Sequence, residues 1–143
     1  MINNAVNVSL YRGTSPPTDE QGEGRKIAGG PLYAEGTVAT LVIQAKVTPW
    51  SRGAIKDAQK WSLDNRRIGT LIDQAIKHGR FLGSEWCMAK PGGPWAACDA
   101  YKVLVSEWNP ILHKDQNITY YLKFALSKTG QLLLSASNHP EGT

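Results

Sequence analysis

Two cysteines, Cys87 and Cys98, flank the turn Pro91-Gly92-Gly93-Pro94, and the chain holds three histidines, His78, His113 and His139. A thiol becomes a catalytic nucleophile when a histidine takes its proton and a carboxylate or amide orients the ring. Cys98 or Cys87 with His113 or His139, oriented by Asp99, Asn117 or Asn138, would make a cysteine hydrolase. Cys98, His113 and His139 are therefore the candidates for catalysis. Neither C-x-x-C nor H-x-x-x-H spacing occurs, so no metal site is expected. No Gly-rich turn joins a strand to a helix in the manner of a dinucleotide fingerprint, and no cofactor is expected. The plainer reading has two packed thiols and surface histidines, which makes the chain a binding module rather than an enzyme.

Whether Cys98 is poised or merely packed depends on residues 95–108, "WAACDAYKVLVSEW". As a helix, the segment gathers Ala97, Ala100, Tyr101, Leu104, Val105 and Trp108 on one face and sets Cys98 near an N-terminus, where thiolate is favoured. As a strand, Tyr101, Val103 and Val105 oppose Lys102, Leu104 and Ser106. Trp95, Ala96 and Ala97 cannot cap a helix, and Asp99 is the first residue that can. A hairpin centred on Gly92-Gly93 favours the strand and places Cys87 opposite Cys98, Met88 opposite Ala97 and Trp86 opposite Asp99. Thiols so placed form a cross-strand disulfide, half a metal site or a small apolar filling. The last is the expected role, and both conformations stay open.

The elements that must position these groups suggest one domain over 1–143. "TVATLVIQAKV" (37–47) is β-branched and alternating, and predicts a strand with Leu41, Ile43, Ala45 and Val47 on one face. Ile68, Leu71, Ile72, Ala75 and Ile76 recur at helical spacing between an Asp64 cap and a Gly79 stop. "SRGAIKDAQKW" offers a second helical start from Ser51, weakened by Gly53. "FLGSEWCMAK", 95–108, "TYYLKFAL" and "QLLLSAS" read as a meander, preceded by a short strand at 6–11. Residues 13–31 form a long Gly/Pro-rich loop and 138–143 a frayed tail. The expected fold is α+β, in the order β-(β)-β-α-β-β-β-β: an antiparallel sheet of about five strands with one long helix or helical pair on one face.

One helical layer leaves the other sheet face open to solvent, a partner or a second copy. With Leu122 and Phe124 directed to the helix, that face carries Gln44 and Lys46 from one strand, Tyr121 and Lys123 from another, and Lys102 from 95–108. These five are the predicted binding residues. Val38 and Val42 on the same face suit a homodimer or protein partner, which is the leading expectation. Interspersed Tyr and Lys equally suit single-stranded RNA or DNA. Sixteen Lys and Arg against twelve Asp and Glu, a net charge of +4, permit an anionic partner. The element order, a strand, one or two helices and then a meander, is similar to that of RelE-type ribosome-dependent toxins. That resemblance implies RNA cleavage, with Lys102, Tyr121, Lys123 and His113 as general acid, general base or phosphate-binding groups. No apolar run is long enough to span a membrane, and a cytoplasmic protein with reduced thiols is expected.

Overall fold

The computed structural model describes residues 6–18 and 24–142. It is an α+β fold of six strands and three helices: β1 (Lys26–Ile27), α1 (Glu35–Ile43), β2 (Val47–Pro49), α2 (Arg52–Lys60), α3 (Asn65–His78), β3 (Arg80–Met88), β4 (Trp95–Asn109), β5 (Lys114–Leu126) and β6 (Leu133–Pro140). The strands form one sheet in the order β1-β3-β4-β5-β6-β2, antiparallel except that β2 runs parallel to β6. Among the described residues no helix is long and apolar enough to cross a membrane.

α3 forms for the reasons its sequence predicts. Asp64 caps it by accepting from the Arg67 N–H at 2.7 Å, and Gly79 ends it. Its stripe of Ile68, Leu71, Ile72 and Ala75 is buried against Tyr101, Val103, Val105, Tyr120, Leu122 and Phe124 of the sheet. α2 starts at Ser51, whose Oγ accepts from the Ala54 N–H at 3.0 Å and donates to the Ala136 carbonyl at 2.8 Å. The second bond anchors the cap to β6, which offsets the weakness that Gly53 brings to the first turn.

The strand predicted over 37–47 is instead α1. Its β-branched residues argue for a strand, yet Val38, Leu41 and Val42 also sit at helical spacing, and tertiary packing decides. Val38 and Leu41 are buried, whereas Ile43, an inward residue in the strand reading, is 85% exposed. α1 packs close against α3 at Gly69, where a Cβ would lie 3.1 Å from Val47 and 3.5 Å from Val42. Only the last residue of the predicted strand, Val47, enters the sheet, after Ala45 turns the chain at φ 57°.

Three smaller corrections follow from backbone pairing. Residues 6–11 make two isolated bridges, Asn7 to Trp95 and Ser9 to Ser127, rather than a strand. β1 lies inside the 13–31 loop, where Lys26 and Ile27 pair with Glu85 and Ser84. β6 extends to Pro140, and Asn138 is fully buried with its side chain donating to the Ala54 carbonyl at 3.3 Å, so 138–140 are paired strand and not a frayed tail.

Residues 95–108 are strand, with Tyr101, Val103 and Val105 buried under α3. The hairpin register differs from the predicted one: Cys87 faces Ala96, and Cys98 faces Glu85. The turn takes in Lys90-Pro91-Gly92-Gly93, closed by the Gly93 N–H on the Lys90 carbonyl at 2.9 Å. Pro91 then holds the second position, where its fixed φ fits, and Gly92 the third, with φ 92°. Pro94 has no N–H to return to the Ala89 carbonyl, which accepts from the Arg52 N–H at 2.8 Å instead. α2 is thereby tied to the β3–β4 turn.

Candidate functional site

Strand alternation sorts the side chains of β4 and β5 onto two faces. Lys102 lies opposite Tyr121, and Ala100 opposite Lys123, so Lys102, Tyr121 and Lys123 share the face turned away from α3. Register then adds His139 opposite Tyr121, Arg80 opposite Lys102, and Lys26 opposite Glu85. The rings of Tyr121 and His139 stack with centroids 5.4 Å apart and planes at 30°. The Lys123 Nζ stands 5.5 Å from the centre of the Tyr121 ring and pairs with Glu85; Lys102 pairs with Glu141.

The face is not flat. Its β3–β4 end carries Ala96, Cys98, Ala100 and Ala125, small and buried. Beside them open two clefts that meet at Glu85. One, of about 300 Å³, is lined by Lys26, Gly83, Ala100 and Tyr121; the other, of about 330 Å³, by Arg25, Arg52, Cys87, Lys90 and Lys123. Arg25, Lys26, Arg52, Arg80, Lys90, Lys102 and Lys123 thus gather around two carboxylates, Glu85 and Glu141. Among the described residues the other nine Lys and Arg stand against seven Asp and Glu, so this side holds the larger excess of positive charge.

Two predicted binding residues lie elsewhere. Gln44 ends α1, and Lys46 precedes β2, because the strand that was to carry them is a helix. Val38 and Val42 leave the open face for the same reason. Of the predicted catalytic residues, Cys98 is fully buried in β4, with its Sγ 3.7 Å from the Ala96 carbonyl oxygen. His113 sits in the β4–β5 turn with φ 51°, its ring edge-on to Trp108 at 6.2 Å. His139 is two strands from β4 and level with Lys102, well along the sheet from Cys98. The thiol–histidine pair of a cysteine hydrolase is therefore not assembled.

The thiols form a different pair. Cys87 and Cys98 are diagonal neighbours on one face, and a hydrogen bond from Cys98, against the cost of burial and helped by the Lys123 ammonium, draws the Cys87 thiol below its ordinary range. Burial and the bond to Cys87 push Cys98 well above it. For Lys123, burial works against the charge, but Cys87 and the hydrogen-bonded Glu85 raise its pKa nonetheless. Diagonal Cα atoms lie roughly 7–8 Å apart, beyond the reach of an unstrained disulfide. Iodoacetamide at neutral pH is accordingly expected to alkylate Cys87 and to spare Cys98 until the protein is denatured, as read by peptide mass spectrometry. Equal labelling of both in the native state would contradict the pairing.

Sequence reasoning placed Tyr121, Lys123 and Lys102 on one sheet face, as the register has them, but gave no sign of the clefts. Arg25 and Lys26 lie in a Gly-rich loop with no period to orient them, and Arg52 is brought beside Lys90 by a bond between α2 and the β3–β4 turn. His139 was legible as strand only by extending "QLLLSAS" past Asn138. No family model, curated protein or solved structure matches the chain, and the RelE-type element order gains no support from that side.

Proposed function

We propose that the face carrying Tyr121, His139 and Lys123 binds single-stranded nucleic acid. The observation that carries this reading is the gathering of seven Lys and Arg, against two carboxylates, around one stacked aromatic pair. Bases stack on rings and phosphates seek cations, and both must lie within a nucleotide's length of each other. Lys123 is held over the Tyr121 ring with its side chain only 14% exposed, so the charge is positioned before any ligand arrives. Self-association through this face, the first expectation from sequence, loses the contribution of Val38 and Val42, which belong to α1. The test is fluorescence anisotropy of a labelled single-stranded RNA titrated at several salt concentrations. Binding should weaken log-linearly with salt, with a slope of about −0.7 per phosphate neutralised. No binding at low salt, or binding indifferent to salt, sinks the reading.

A second reading, RNA cleavage, is favoured by the place of His139. A histidine beside Lys102 and Lys123 is suited to take the proton of a ribose 2′-hydroxyl as its oxygen attacks the neighbouring phosphorus. The 5′-oxygen leaves with a proton from a second acid, and a 2′,3′-cyclic phosphate remains. The same RNA, recovered and run on a denaturing gel, separates the two readings: intact RNA means binding alone.

A further inference from the structure

β3 stops pairing with β4 at Lys102, while β4 runs on to Asn109 against β5 alone. The direction of the exposed backbone groups follows from one bond. The Thr119 carbonyl accepts from the Glu141 N–H at 2.7 Å, on the β6 side, so Thr119 turns its polar groups away from β4. Leu104, opposite Thr119, must then turn its own away from β5, and Ser106 and Trp108 do likewise by alternation. Among the described residues no strand meets this edge. An unpaired edge of this length is a template for another strand.

We infer that this edge pairs with the same edge of a second copy, antiparallel and centred on Ser106, to join two sheets into one. The register is self-complementary. Ser106 faces Ser106 of the second copy and Leu104 faces its Trp108, so every outward N–H and C=O of the three residues finds a partner. Leu104 and Trp108, 63% and 60% exposed here, cover each other. Charge fits as well. A cleft of about 290 Å³ runs along the edge, lined by Arg67, Gln74 and Val105 among others. The register sets Glu107 of the second copy opposite Val105, where it adds to the pair Arg67 makes with its own Glu107. Gln74, whose buried Oε1 lacks a hydrogen-bond partner, is one of the residues that line the same cleft. Asn109 of the second copy, opposite Val103, brings an amide donor to that side. A foreign peptide strand would satisfy the backbone but not the Leu104–Trp108 reciprocity.

Sedimentation equilibrium of the whole chain across micromolar concentrations tests this. The wild type should dimerise, and Ser106→Pro should raise the dissociation constant at least about tenfold, since the N–H that proline removes points outward. At concentrations low enough for both to be monomeric, its thermal melt should match the wild-type value, because the bonds from β4 to β5 are untouched. Leu104→Lys serves as a second variant that leaves the backbone alone. For the register, Ser106→Cys in a Cys87→Ser background should link two copies by a disulfide under air. Residues directly opposite in a hydrogen-bonded pair stand about 5.5 Å apart, within disulfide range. Leu104→Cys in the same background should not link. A wild type that stays monomeric, a dimer indifferent to both Ser106→Pro and Leu104→Lys, or crosslinking through 104 in place of 106 would each overturn the inference.

Discussion

Replacing Tyr121 and His139 together with alanine is expected to weaken binding of single-stranded RNA about 10- to 100-fold, while the slope of affinity against salt stays the same. A base stacked on an aromatic side chain contributes about 1–3 kcal/mol, and the two rings form one continuous platform. The cations remain, so the counterion term remains. Arg52→Ala with Lys90→Ala should do the reverse, lowering the slope by about 1.4 because two phosphates are no longer neutralised. Both residues line the cleft through exposed side chains, and neither anchors the core. Lys123→Ala is the poorer probe, because it would leave Glu85 without its partner beside the two thiols. Circular dichroism should show both double variants folded. Undiminished affinity in the Tyr121/His139 variant would remove this face from consideration, and an unchanged slope in the other would remove the cleft.

The parts of this surface that were readable in the sequence are those governed by period two within one continuous strand. Tyr121 and Lys123 were separable from Leu122 and Phe124 because β5 alternates between buried and half-exposed residues from Tyr120 to Phe124. Lys102 followed once 95–108 was taken as strand. The failure at 37–47 has the opposite cause. A run in which nearly every residue is apolar or threonine satisfies both periods, and the deciding fact, that Gly69 of α3 leaves room for Val42, lies far along the chain. The hairpin register failed for a local reason: four turn residues in the order Pro-Gly-Gly-Pro offer two centres, and only the missing N–H of Pro94 chooses between them. A long-range bond, from Arg52 to Ala89, ties Arg52 to the β3–β4 turn, and no residue pattern announces it.

Asp99→Ala is expected to destabilise the fold by about 3 kcal/mol, the sum of several charge-assisted hydrogen bonds removed from a buried site. Asp99 is 1% exposed, and its carboxylate accepts from the Leu32 N–H at 3.0 Å, the Tyr33 N–H at 3.4 Å and the Ser84 hydroxyl at 2.6 Å. Alanine would strand all three donors where water cannot follow. It would also free residues 32–33, whose Tyr33 hydroxyl donates to the Ala97 carbonyl at 2.5 Å and whose Leu32 packs on the cluster of Trp86, Trp95 and Ile27. Burial lifts the Asp99 carboxyl above its ordinary range despite those bonds. A raised carboxyl binds its proton more tightly in the folded state than in the unfolded one, so stability from this group falls as pH rises through the folded value. The gap between wild type and Asp99→Ala in urea unfolding should therefore widen as pH drops from neutral towards about 4, the unfolded value, and level off below it. Because the donors would favour an ionised acceptor, a gap that narrows on acidification would mean that the hydrogen bonds, and not desolvation, govern this carboxylate.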